Sequence, residues 1–411
     1  MTVLRALEAY GFHVPEDGLR RPTEAAMNPL TLSEYQNKAL KTDQRRDEDP
    51  GLAFPLLGLF GETGSLLSEV KKKQRDPVAY LGYEDSVVEE LGDVLWYLAA
   101  LAARAQLGLD ELAVNLDRSL QDWQSTCSAG LSFDAIDRPA TGLSASPSPA
   151  FEKTLLKLAG EVGLLMTDHA AGRLERNRSA LKGRLIGVLR ALRAAAHETG
   201  ITLEAAARAN LTKIFDRWPV DRRYPALFDE AFPSGEQLPR QLVIDITEVE
   251  ANGKKMARLT REGQPIGDPL TDNREEDDDY RFHDVFHLSY AAHLGWSPTL
   301  RRMLRTKRKS DPLMDEVQDG ARAVLIEEGV ATWIFNHAQR LALFEGITAI
   351  DYGLLKSVRR FVSGYEAENC PLWLWEEAIL KGYEVFRSVR THRGGQVSIN
   401  LIERSIRYSQ P

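Results

Sequence analysis

A ten-residue helical phrase is written twice in this chain, and only one copy sits among further acids. The first copy runs Leu57-Gly-Leu-Phe-Gly-Glu62-Thr-Gly64-Ser-Leu66, and the second runs Leu156-Lys-Leu-Ala-Gly-Glu161-Val-Gly163-Leu-Leu165. Each later reaches an Asn-Leu step and then a Trp: Asn115, Leu116 and Trp123 in one, Asn210, Leu211 and Trp218 in the other. Between these marks the first copy has Glu90-Leu-Gly-Asp93-Val94-Leu95, where the second has Arg184-Leu-Ile-Gly187-Val188-Leu189. An internal repeat limits the fold before any other signal is weighed, because each copy must take the same local structure. Acids in one copy alone predict one metal site inside an internal pseudo-dimer.

Thr31 or Ser33 is the expected cap of a first helix over 33–44. Apolar residues recur at helical spacing over 52–74 (Leu56, Leu59, Phe60, Leu66, Leu67, Val70) and over 84–106 (Val87, Val88, Leu91, Val94, Leu95, Leu98, Leu101). A fourth helix is expected from Leu109 to Trp123. Four helices on short loops predict a bundle. The expected divisions are a lead-in over 1–28, a metal-bearing repeat over 29–125, a Ser/Pro/Gly-containing linker over 126–150 and a second repeat over 151–220. A further domain is expected over 235–411. Gln241 to Val249 alternates and is rich in β-branched residues, Asn252-Gly253 is a hairpin turn, and Lys255 to Leu259 returns as the partner strand. Gly267-Asp268-Pro269 is expected to close that segment. Beyond the acidic run 275–279 the chain reads as largely helical.

Net charge excludes one class of partner. At −8 overall, the chain has no general electrostatic grip on nucleic acid or anionic membrane. Cys127 and Cys370 are too few and too far apart for a disulfide framework, which fits a reducing cytoplasm. No long apolar run marks a signal peptide or a membrane span.

Glu62, Glu69, Glu90 and Asp93 carry the chemistry. Glu62 and Glu69 are about two helical turns apart, and Glu90 and Asp93 sit at i,i+3, so each pair shares a face. Both pairs lie in apolar stretches. Facing carboxylates inside a bundle repel unless a cation separates them, and hard oxygen ligands suit Mg²⁺ or Mn²⁺. Such a cluster can hold a triphosphate and activate water for attack on phosphorus. The competing reading makes each acid a solvated residue of an amphipathic helix. Gly61 and Gly64 each cost roughly 1 kcal/mol relative to Ala inside a helix, so close packing or ligand approach is the expected reason for them.

These residues resemble the all-α nucleotide pyrophosphohydrolases of the MazG-like family. The marks are Glu34-Tyr35-Gln36, Gly61-Glu62-Thr63-Gly64, Glu90-Leu-Gly-Asp93-Val-Leu-Trp-Tyr and Asn115. The resemblance covers about 30–123 and, in degenerate form, about 151–218. It implies a mostly α fold: a tandem MazG-like helical bundle, then a C-terminal α+β domain with a β-hairpin and a helical bundle. It implies hydrolysis of a nucleoside or deoxynucleoside triphosphate to the monophosphate and pyrophosphate, with Mg²⁺ held by Glu62, Glu90 and Asp93. Ser65 stands where the family pattern has an acid, and Glu69 is the expected substitute, either on the metal or, like Glu62, as the base. Lys72 and Lys73 are candidates for the phosphates. Asn115 and Arg118, with Asn210 and Lys213, are the expected nucleotide-facing pairs, the second copy closing the first copy's site. The resemblance leaves a homo-oligomer open. The alternative function is a nucleotide sensor or regulator with little turnover whose C-terminal domain is the effector, with a second metallohydrolase in that domain left open.

One motif falls outside this scheme. His283 and His287 lie at i,i+4, a spacing able to share a metal, with Glu328 or His337 as further ligands. The competing reading is a packed helix with satisfied histidines.

Overall fold

The computed structural model describes residues 28–116, 130–174, 177–251 and 253–410. Arg118, most of the 1–28 lead-in and the far end of the expected fourth helix lie outside the described residues. Twelve α-helices and one sheet of five strands occur among them. The chain is thus mostly α with a C-terminal α+β part. It divides into two compact units at Ile214 and Phe215. No helix among the described residues is long and apolar enough to cross a membrane.

In the first unit, helix α1 (Leu32–Ala39) starts where Thr31 accepts a hydrogen bond from the Glu34 backbone N–H, and a 3₁₀ turn over Leu40–Thr42 follows it. Helices α2 (Ala53–Arg75) and α3 (Tyr83–Arg104) form a long hairpin. Its seam is made by the residues that helical period selects: Leu56, Leu59, Leu66 and Val70 from α2, and Val87, Leu91, Val94, Leu95 and Leu98 from α3, all buried. Phe60, expected in that seam, is instead exposed. Helix α4 is short (Leu109–Ala113) and gives way to a turn before the described residues end. Helices α5 (Pro149–Ala170) and α6 (Arg178–Thr199) make a second hairpin beside the first, with α5 against α2 and α6 against α3. Helix α7 (Leu203–Arg217) follows. The expected linker is partly structured. Its Phe133 is fully buried and meets Tyr35 edge-on, and Ser132 bridges to Thr31.

The second unit is built on the sheet. Strands β1 (Gln241–Ala251) and β2 (Lys254–Arg261) pair antiparallel from Ala251 and Lys254 inward, as the hairpin signal predicts. Gly267-Asp268-Pro269 does not close the segment but lies within a third strand, β3 (Gln264–Leu270). β3 is an edge strand, where a proline's missing N–H is tolerated. The region expected to be helical also ends in two strands, β4 (Gly394–Asn400) and β5 (Ser405–Ser409), giving the order β3-β2-β1-β4-β5. Gly394 has φ 144°, and a Cβ there would stand 2.5 Å from the Ile246 carbonyl oxygen, so glycine is required where β4 starts along β1.

One face of this sheet is covered by helices α8 (Asp284–Leu294) and α12 (Leu372–His392), which pack on each other through Phe286, Tyr383 and Phe386. Helices α9 (Pro298–Leu304), α10 (Ala321–Ala338) and α11 (Tyr352–Phe361) complete the unit. Every residue of α8 is buried, so it serves as the central helix of the core. Arg308, flanked in sequence by two lysines, is buried on Asp319 and Glu366, and Arg301 is buried on Asp229. These charges are spent on internal pairing rather than displayed.

Candidate metal centre

The two long helices of the first hairpin converge three of the expected acids. Glu62 of α2 and Glu90 and Asp93 of α3 each present a carboxylate oxygen, and these atoms lie within 4.8 Å of one another. The i,i+3 spacing puts Glu90 and Asp93 on the α3 face that meets α2. All three are half-buried.

Like charges in a partly dry cleft have a measurable consequence. Burial, together with the neighbouring Glu62 and Asp93 carboxylates, pushes Glu90 up to about 8. One Glu90 oxygen is buried without a hydrogen-bond partner. Burial also raises Asp93, to about 6, against the opposing pull of Lys213. Three carboxylates at this separation, with a buried Glu90 oxygen unpartnered among the described residues, fit a hard divalent cation such as Mg²⁺ or Mn²⁺.

Glu69 is not part of this group. Its carboxylate is held by Lys72 at 2.6 Å and by the Tyr80 hydroxyl. Tyr80 lies in the loop joining α2 to α3, which folds back onto the end of α2. Lys72 is therefore engaged by Glu69, although it also feels the charge of Glu90. Lys73 donates to the Tyr80 carbonyl oxygen at 3.0 Å.

Of the two Asn–basic pairs, the structure brings the later one to the acids. Asn210 of α7 is buried, donates to Asp93 Oδ1 at 2.9 Å and accepts from the Tyr35 hydroxyl at 3.0 Å. Lys213, one turn on, pairs with Asp93 Oδ2 and, at 2.8 Å, with Glu89. Asn115 instead donates to the Glu111 carbonyl oxygen, and its own carbonyl accepts from Arg190. The approach of α7 is set by Gly92, where a Cβ would meet the Ala206 carbonyl oxygen and the Asn210 Cβ at 2.8 Å. Gly61 and Gly64 have no such neighbour within 4 Å among the described residues, so packing among these does not account for them. Tyr35, although within the Glu34-Tyr35-Gln36 mark, and Glu89, next to the marked Glu90, were given no site role in the sequence.

A helical cleft lined with acids and closed by an amide and an ammonium group offers oxygen donors of the kind that could hold a divalent cation, with a cationic group beside them. Residues 223–411 match the family described as MazG C-terminal domain. The chain is also 36% identical over 87 residues to the Gene 37 protein of Mycobacterium phage L5, a match covering 21% of this chain and 74% of that protein. The chain belongs to the MazG-related family. No solved structure matches it.

Proposed function

We propose that the first unit is a Mg²⁺-dependent nucleoside triphosphate pyrophosphohydrolase, cleaving an NTP or dNTP to the monophosphate and pyrophosphate. The observation that carries this reading is the convergence of Glu62, Glu90 and Asp93 within 4.8 Å. The family match lies wholly outside that cluster, over 223–411, so it supports the family and not the site. In this reading the two hairpins are a tandem pair, the second a degenerate copy that lends α7 to the first copy's site.

Glu62, Glu90 and Asp93 would hold the cation. Bound there, Mg²⁺ or Mn²⁺ neutralises phosphate charge and makes a nearby water more acidic. Glu62 would serve as the base toward water, because Glu69, the other candidate, is engaged by Lys72 and Tyr80. Lys213 stands at the edge of the cluster, where an ammonium group can follow the charge that gathers on the departing pyrophosphate. Tyr35 fixes Asn210, and Asn210 fixes Asp93, so the acid is held in one orientation by a buried relay.

The test is pyrophosphate release from a panel of NTPs and dNTPs with Mg²⁺, run on wild type beside Glu90→Gln. Release by wild type and its loss in a folded Glu90→Gln supports the reading. Equal release by both proteins removes it. A second reading, a nucleotide sensor with little turnover, draws on one observation: both Asp93 oxygens are already engaged, by Asn210 and Lys213. Tight triphosphate binding without release would favour it.

A further inference from the structure

The second unit holds a buried polar group of different donor chemistry. His283, Asp284 and His287 open α8, and each offers one ligand atom within 4.8 Å of the others. Both histidines are buried.

Hydrogen bonds select which nitrogen each ring turns inward. His283 Nδ1 lies 2.9 Å from the Tyr280 carbonyl oxygen, which can only accept. His287 Nδ1 lies 2.9 Å from Glu327 Oε1, and the other Glu327 oxygen accepts from the Thr299 backbone N–H at 2.8 Å. When the rings are neutral, this pattern puts the proton on Nδ1 and leaves both Nε2 atoms as lone-pair donors to a ligand. Those two atoms face one carboxylate: Glu328 Oε2 is 3.3 Å from His283 Nε2, and Glu328 Oε1 is 3.3 Å from His287 Nε2. His287 Nε2 makes no hydrogen bond of acceptable geometry, although its side chain is 1% exposed. Two lone-pair nitrogens turned toward a carboxylate, with Asp284 beside them, form an arrangement that a cation completes.

We infer that His283, His287, Asp284 and Glu328 form a second metal site, for a divalent transition-metal ion. Mixed imidazole and carboxylate donors suit Zn²⁺ and its first-row neighbours, unlike the oxygen-only set of the first unit. Glu327 is its positioning residue: a carboxylate on the far nitrogen of a ligating histidine fixes the ring and raises its basicity. The Glu328 side chain is 35% exposed, so the cluster is reached by solvent on that side.

The experiment is a Zn²⁺ titration of the full chain against a chromophoric chelator, on wild type, Glu90→Gln, Glu328→Gln and His283→Gln. Glu90→Gln separates this site from the acidic one. One Zn²⁺ bound in wild type and Glu90→Gln, with affinity at least about 10-fold weaker in the other two, supports the site. Co²⁺ in place of Zn²⁺ gives a visible band that changes in His283→Gln. If His283→Gln fails to fold, the half-exposed, isosteric Glu328→Gln carries the comparison. Zn²⁺ affinity that is equal in wild type and folded Glu328→Gln overturns the inference, as does absence of competitive binding. A lowered melting temperature with unchanged affinity marks the cluster as a buried polar knot and overturns it equally.

Discussion

The two hairpins of the first unit have helices of nearly equal length, 23 and 22 residues in α2 and α3 and 22 in each of α5 and α6, yet opposite electrostatics. In the first, Glu62 faces Glu90 and Asp93, and Glu90 is raised to about 8. In the second, Glu161 lies over Gly187, where a Cβ would stand 2.6 Å from its Oε2. Asp168 of α5 is bound by Arg184 and Arg173, each at 2.6 Å, and these hydrogen bonds hold its carboxyl below the usual range. One hairpin pairs its Asp168 with arginines, whereas the other brings three carboxylates together and leaves a Glu90 oxygen without a hydrogen-bond partner among the described residues. The difference teaches that a shared helical scaffold does not fix its electrostatics; the partners that each acid finds do.

The largest expected effect separates the hairpins directly. Asp93→Asn lowers pyrophosphate release by about 10²–10³-fold, the scale on which removal of one charge-stabilising group acts, while Glu161→Gln leaves it unchanged. An equal loss in both would break the asymmetry. Next, Arg184→Glu deprives Asp168 of a partner and adds a like charge, lowering the midpoint of chemical denaturation slightly, as loss of a solvent-screened pair does; an unaltered midpoint would show that the second hairpin is not held by that pair.

A pH series sharpens the same contrast. Glu90 has its folded value at about 8, above its ordinary 4.5, so between these the folded chain binds its proton more tightly than the unfolded chain. Stability without metal therefore falls as pH rises from 4.5 to about 8, with Asp93 adding to the fall between 3.8 and about 6. Denaturation in EDTA checks this, and Glu90→Gln flattens the upper part of the slope. Mg²⁺, which competes with those protons, stabilises more near the top of that window than near the bottom. The smallest effect is expected for Glu69→Gln: about 1 kcal/mol of stability from its contacts with Lys72 and Tyr80, and no change in turnover. Turnover lost to the extent seen in Asp93→Asn would return Glu69 to the site.

Helices α2 and α3 were legible because their seam is a strict helical stripe, and the pairing of Glu90 with Asp93 follows from spacing alone. Glu69 was not legible in the same way. Its fate is decided by Tyr80, eleven residues on, in a loop whose path no periodicity reports. Strands β4 and β5 escaped notice for a related reason. Val397 and Ile399 alternate with polar neighbours, but their partners on β1 lie more than a hundred residues upstream, and short alternation after a long helix is a weak signal. The Asn-Leu repeat pointed equally to Asn115 and Asn210, and only packing chose between them. The i,i+4 histidines were visible in sequence. The role of Glu327, which reaches His287 from another helix, was not.

The near-contact at Gly92 makes the spacing of two helices depend on one absent methyl group. Any larger residue there would wedge α7 outward, and the Asn210 amide and Lys213 ammonium would leave Asp93 together, because both ride on that helix. Backbone clearance and site charge are thus a single mechanical variable in this bundle. A chain that alters one has altered the other without touching an acidic side chain.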